Sequence, residues 1–394
     1  MRSRTLMAGT AVAALLLASA CGSSDDGGSG GGSDSSGSSA DGDRVGDLPL
    51  PELTSEISDA ATASAEAAGE PVELPAKTIG YISYGEAIPI SARLTQGMQN
   101  AAAAAGWDLE VCDGQSTPQG QLTCATNFVN EGVDAILTNG MPQSSIAPAL
   151  TQADAAGIPV INVGGYIGQE DLFDGSIYPD EAGFGEVMGD WLVDKLPDGG
   201  PIATQTFQAD FVIQRLEGLD TALEGSDVTI GDTFDADAAN LIPGAQQSVS
   251  SSFNGNPDLQ AYYMTFSGSE IGAAQAMQVL RPGAQFPERP LITTFYANLP
   301  TIDLIRSGQV DAAAENSHEW IAWVAMDQLA EFFARDTAIS SEPRPDYGTD
   351  LDFWRFFVVD AENLPDEGEL ATPPVDFEGF FTTKWSTEFT NLSQ

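Results

Sequence analysis

The chain's reactive inventory is small. Its 394 residues contain one histidine, His318, and three cysteines, Cys21, Cys112 and Cys124. A Ser-His-Asp hydrolase needs its histidine close to a nucleophile, and no nucleophile motif accompanies His318. G-x-S-x-G, H-E-x-x-H and phosphate-loop patterns are absent. One histidine excludes a His-rich metal centre, and no metal or cofactor is expected. His318 is read as a structural or helix-start residue. The group in surplus is carboxylate: 58 Asp and Glu face 14 Lys and Arg, a formal net charge of −44. Paired carboxylates can hydrolyse glycosides, but nothing in the sequence places two of them together. The scarcity of clustered Lys and Arg argues against nucleic-acid binding and against docking on an anionic membrane surface. With 42% hydrophobic residues the chain can still build a sizeable core.

Cys21 has its own explanation. Arg2 and Arg4 precede an apolar run over residues 6–17, too short to span a bilayer. Leu17-Ala18-Ser19-Ala20-Cys21-Gly22 then resembles a bacterial lipoprotein lipobox, with Ala18 where Leu is usual. Residues 1–20 are therefore expected to be a signal peptide, and Cys21 a lipidation site anchoring the chain outside the cell membrane. Residues 21–48, nearly all Gly, Ser and Asp, read as a disordered tether. Residues 49–76 read as a peripheral helix and linker, so a chain beginning at Lys77 is expected to fold alone. Cys112 and Cys124 lie at a strand end and in the next helix. In an exported chain they are expected to form a disulfide.

The elements that position these residues follow one repeating pattern. Strand-like runs at 78–83, 107–111, 133–137 and 157–163 alternate with helical runs at 91–105, 118–131 and 144–156. The alternation resumes with strands at 201–207, 228–233, 261–266, 291–295 and 310–315. Helices at 211–223, 241–253, 270–280 and 320–334 separate or follow them. Two such batches predict an α/β fold of two doubly wound parallel-sheet lobes joined by a hinge. Residues 77–180 plus 317–341 are assigned to lobe 1. Residues 181–316 plus 342–394 are assigned to lobe 2 and a C-terminal extension. The carboxyl ends of both sheets should line one cleft.

Several motifs carry a resemblance. Ile79-Gly80-Tyr81-Ile82-Ser83 with Pro89, Gly97 and Ala105-Gly106-Trp107 looks like the opening of a periplasmic sugar-binding protein. Glu131-Gly132-Val133-Asp134-Ala135-Ile136-Leu137 and Ala155-Ala156-Gly157-Ile158-Pro159-Val160 are the most specific stretches, and Gly308-Gln309-Val310 agrees with them. Together they resemble the type I, ribose- and galactose-binding-like, solute-binding components of ABC importers. The resemblance spans about residues 77–335 and implies the same two-lobed fold, with a tail folded back over the hinge.

It also implies cleft residues. The first loop supplies Tyr84, Glu86, Ile90 and Ser91. After the fourth strand, where sugar binders commonly carry Asp-Arg, this chain has Gly165 and Tyr166; Gly164-Gly165 marks a close backbone approach. Phe211 and Ile213 start a lobe-2 helix facing the cleft. Phe266 and Ser267 replace a common Asn-Asp, Tyr296 and Asn298 occupy a position where Asp often contacts hydroxyls, and Asn316 matches a hinge amide. The predicted cleft loops contain no Lys or Arg, which disfavours an anionic ligand. A neutral sugar or polyol is favoured over an amine. The expected protein is a monomeric extracytoplasmic lipoprotein that delivers a small ligand to an ABC permease. Ligand sensing through a membrane receptor is the alternative, and a carbohydrate-active enzyme a more distant one.

Overall fold

The computed structural model describes residues 48–165, 171–237 and 240–392. The expected signal peptide, Cys21 and nearly all of the tether lie outside the described residues, as does Tyr166.

The chain opens with helix α1 (Ser55–Ala68) and then builds lobe 1. Strand β1 (Thr78–Ser83) is followed by α2 (Pro89–Ala104), β2 (Asp108–Asp113), α3 (Pro118–Glu131), β3 (Ala135–Asn139), α4 (Gln143–Ala156), β4 (Val160–Val163) and β5 (Gly175–Ile177). Local chemistry fixes the boundaries. The Thr117 hydroxyl accepts from the Gly120 N–H and Pro118 occupies the first turn of α3; Gly132 ends that helix in the left-handed region. The five strands are parallel in the order β2-β1-β3-β4-β5. Strands β3 and β4 are buried throughout, as both-sided coverage by helices requires.

Lobe 2 comprises α5 (Glu181–Lys195), β6 (Gly200–Thr206), α6 (Asp210–Leu223), β7 (Val228–Asp235), α7 (Leu241–Gly255), β8 (Ala261–Tyr263), α8 (Ser269–Leu280), β9 (Leu291–Phe295), α9 (Leu299–Arg306) and β10 (Ala312–Glu315). The chain returns to lobe 1 as α10 (Trp320–Arg335), adds β11 (Phe357–Asp360) to the lobe-2 sheet, and ends in α11 (Phe377–Glu388). The second sheet runs β11-β10-β9-β8-β6-β7, with only β11 antiparallel. The α/β fold of two parallel-sheet lobes is thus present.

The tail, assigned to lobe 2 and a C-terminal extension, is divided between the lobes. Residues 357–360 pair with β10. Phe353, Phe377, Phe380, Phe381, Trp385 and Phe389 instead join the lobe-1 core around Trp320 and Trp323. Trp323 stacks on Trp385 at 5.4 Å between ring centroids. A buried ion cluster fixes the same contact: Lys384 Nζ lies 2.7 Å from Asp327, 2.9 Å from Glu331 and 2.8 Å from Glu388. Four links therefore cross between the lobes among the described residues, after β5, β10, α10 and β11.

The N-terminal segment is not merely peripheral either. Ile57, Ala61 and Ala65 form a buried stripe at fourfold spacing, and α1 packs on α11. Val72 bridges to Phe389, the Leu74 N–H donates to Asn391 Oδ1 at 2.8 Å, and Trp107 Nε1 donates to the Pro75 carbonyl at 3.0 Å. A chain beginning at Lys77 would lose these contacts and should be less stable than the whole. Cys112 and Cys124, with Cα atoms 5.8 Å apart, are joined by a disulfide between β2 and α3.

Candidate functional site

The carboxyl ends of the strands bring the two lobes face to face. From lobe 1 come Ser83, Asn139 and the turn at Gly164-Gly165; from lobe 2 come the segments after β6, β8, β9 and β10. The faces touch. A Cβ at Gly165 would lie 3.5 Å from the Phe211 ring and 3.7 Å from Glu181 Oε1. Ile90, on the first turn of α2, packs against the lobe-2 core.

Glycines set the geometry of lobe 2. A side chain at Gly185 of α5 would overlap the Arg215 carbonyl, and one at Gly218 of α6 would overlap the Ala182 carbonyl. Their absence lets the two helices lie backbone to backbone. Arg215 then reaches Glu181 at 2.7 Å, the Thr265 carbonyl at 3.0 Å and the Tyr296 hydroxyl at 2.8 Å, donating to all three. Its guanidinium also lies over the Phe211, Phe295 and Tyr296 rings. Burial lifts the Glu181 carboxyl above its ordinary range, more than the adjacent Arg215 lowers it.

Arg93 of α2 forms the second ionic centre and ties the lobes together. Its Nε and Nη2 donate to the two oxygens of Glu319, each at 2.8 Å, and its Nη1 donates to Glu315 at 2.9 Å and to Asn298 at 3.5 Å. Glu315 also accepts from the backbone N–H groups of Ala297, Asn316 and Ser317. Burial pushes its pKa up, but Arg93 and these hydrogen bonds outweigh it and leave the carboxyl below its ordinary value.

These arginines correct the inference drawn from loops without Lys or Arg. The loops lack cations, but α2 and α6 supply two, Arg93 and Arg215, from their second turns. The signal was available in the i, i+4 relation of Phe211 and Arg215. The preference against an anion must rest instead on the neighbours: Glu315 and Glu319 engage Arg93, and Glu181 engages Arg215.

The aromatic candidates converge. Phe211 and Phe207 both meet Phe266 edge to face, at 5.7 and 5.1 Å. Tyr296 meets His318 at 5.0 Å. Tyr296 and Ser317 adopt left-handed backbone, with φ of 64° and 51°, a conformation non-glycine residues keep where surroundings impose it. Asn298 is buried and committed, donating to Ser267 Oγ at 2.6 Å and accepting from Arg93. Asn316 is fully buried between β10 and α10, and neither its Nδ2 nor its Oδ1 has a partner among the described residues. The Oγ atoms of Ser83 and Ser317 are in the same condition.

Other candidates point elsewhere. Ile213 is 42% exposed. At 100° per residue it lies roughly opposite Phe211 and Arg215, so its assignment to the cleft does not hold. Tyr84 packs on the lobe-1 cluster around Cys124, and its N–H donates to Asn139 at 3.4 Å. Glu86 accepts from the Thr95 hydroxyl at 2.6 Å, and the carbonyl of the buried Ser91 accepts from the same hydroxyl at 3.0 Å. These three belong to the lobe-1 wall by the contacts they make.

The family described as periplasmic binding protein domain matches residues 79–334. The galactofuranose-binding protein YtfQ of Escherichia coli K12 is 26% identical over 269 residues, 65% of this chain and 81% of YtfQ. The ribose import binding protein RbsB of the same organism is 25% identical over 232 residues, 58% of this chain and 75% of RbsB. Among solved structures, a galactofuranose binding protein superposes with a TM-score of 0.61 at 19% identity, covering 79% of this chain and all of that one. An ABC transporter solute binding protein from Mycobacterium smegmatis with bound glycerol gives 0.63 at 21% identity, covering 76% and 99%. These relatives are solute-binding proteins, not enzymes.

Proposed function

Given that the chain belongs to the periplasmic binding protein domain family, we propose that it is an extracytoplasmic receptor that captures a neutral sugar or polyol between its lobes and delivers it to an ABC permease. The observation that carries this reading is Asn316. A buried amide without partners costs about 1–3 kcal/mol per unsatisfied group, so its retention at the lobe crossover points to a ligand that completes it. A hydroxyl can both give to Oδ1 and accept from Nδ2. The aromatic walls of Phe207, Phe211 and Phe266 suit the apolar face of a sugar ring. Among the described residues of the cleft, the arginines are engaged by carboxylates and offer no bare cation to a carboxylate ligand. Anchoring through a lipidated Cys21 and a monomeric state belong to the same proposal.

The test is a thermal-shift panel of D-ribose, D-galactose, L-arabinose, D-allose and glycerol beside amines and organic acids, followed by calorimetry on the best compound. A neutral hydroxylated compound should raise the melting temperature, and Asn316→Ala should weaken its binding at least tenfold. A winner among the acids, or an Asn316→Ala protein that binds as well as the parent, would sink the reading. Loss of membrane partitioning in Cys21→Ser tests the anchor separately.

A further inference from the structure

We infer that His318 is a specificity-determining residue of the cleft, reading a hydroxyl of the bound ligand alongside Asn316 and Ser317; this rests on the sugar-binding reading above. Three consecutive residues of the β10–α10 crossover each present a buried polar atom without a partner among the described residues: Asn316 Nδ2 and Oδ1, Ser317 Oγ and His318 Nδ1. All three residues are at least 97% buried. Such a run is not what a structural histidine produces. A histidine kept for packing or for holding a helix start satisfies its ring nitrogens with backbone or carboxylate groups.

The position of the ring fits the role. His318 lies between the lobes, with the Tyr296 ring of lobe 2 edge to face at 5.0 Å. On the lobe-1 side, a Cβ at Gly164 would sit 3.7 Å from its Nε2. The charged groups around this cleft are Arg93, Arg215, Glu181, Glu315 and Glu319, and the carboxylates are drawn to the arginines rather than to the imidazole. Burial, reinforced by the positive charges of Arg93 and Arg215, lowers the imidazole pKa to about 3. A neutral ring has one donor and one acceptor nitrogen, so its unpaired Nδ1 can serve a hydroxyl in one polarity and has no ionic preference for a carboxylate. A site built on an unpaired polar atom discriminates strongly against an analogue lacking the matching hydroxyl.

The sole histidine of the chain is its own reporter. Protein labelled with 15N-histidine gives one pair of ring nitrogen signals. They should show a neutral imidazole without titration from pH 5 to 8. They should move when the panel sugar with the largest thermal shift is added. His318→Phe, which keeps a ring and removes both nitrogens, should bind that sugar at least tenfold more weakly. One of the sugar's monodeoxy analogues should bind the variant and the parent equally. A ring that titrates near 6.5 overturns the inference. So does a sugar that binds but leaves both nitrogen signals unmoved, or that His318→Phe binds within twofold of the parent. In those cases the sugar-binding reading still stands. If no sugar or polyol shifts the melt, that reading falls and the role of His318 falls with it.

Discussion

Replacing Arg93 by Met should weaken the body and loosen the lobes together. The Arg93 side chain is 9% exposed, and its partners Glu315 and Glu319 are 1% and 6% exposed. The substitution keeps most of the aliphatic stem and removes the bidentate fork to Glu319 and the bond to Glu315. Glu315 retains its three backbone donors. Glu319 retains no other partner among the described bonds, so a buried carboxylate is left uncompensated. Breaking a buried pair in this way costs about 3–5 kcal/mol. At roughly 2 °C per kcal/mol for a body of this size, the melting temperature should fall by about 6–10 °C. Adding Glu319→Gln should restore part of the loss, because it removes the stranded charge. Scanning calorimetry on the two single variants and the double variant gives the coupling energy directly. The pair also bridges the lobes, so small-angle scattering should show a larger radius of gyration for Arg93→Met without ligand. A melting temperature within about 1 °C of the parent, with coupling below about 0.5 kcal/mol, would refute the clamp.

Three other perturbations follow from the same structure. A chain starting at Leu48 should melt like the full chain, whereas one starting at Lys77 removes the buried side chains of Leu48, Ile57 and Leu74; it should lose about 5 kcal/mol or more, and a matching melting temperature would refute the docked N-terminal segment. Paired Cys112→Ala and Cys124→Ala substitutions open a loop of twelve-residue separation and should cost about 3 kcal/mol, measured by urea denaturation of parent, variant and reduced parent. His318 makes stability depend on pH: unfolded, it takes up a proton near 6.5, whereas in the folded state it resists until about 3. The unfolded state therefore binds more protons across that window, and His318 contributes a loss of up to about 1.4 kcal/mol per pH unit as pH falls. His318→Gln should remove this slope between pH 6.5 and 5, and identical slopes in the two proteins would contradict its neutral burial.

Much of the architecture was legible because strands buried on both faces announce themselves. Ala135–Asn139 and Val160–Val163 are short apolar runs bounded by Gly and Pro. By contrast β5 is three residues long, and α5 carries Gly183, Gly185 and Gly189 that lower its helical signal. Gly185 and Gly189 matter through their fit against α6, a contact that local periodicity does not encode. The aromatic run of α11 was visible, but its partners α1 and α10 lie far away in sequence, so its place in the lobe-1 core was not. At the site, residues immediately following strands were legible by position. Arg93 and Arg215 were not, because a long side chain inside a helix delivers its charge to a place the backbone does not occupy. Ile213 was misplaced for the related reason that two residues along a helix is just over half a turn.

Both ends of the described chain belong to lobe 1, with Leu48 in its core and Leu392 packed against it. Lobe 2 begins and ends within the chain. A biosensor with a donor and an acceptor fluorophore attached at the two described ends, beside Leu48 and Leu392, would carry both on lobe 1, and energy transfer would hardly respond to ligand. One fluorophore has to be inserted into lobe 2. The turn at Gly225 is suited to it, being exposed, with no neighbouring atom within 4 Å of a Cβ placed there.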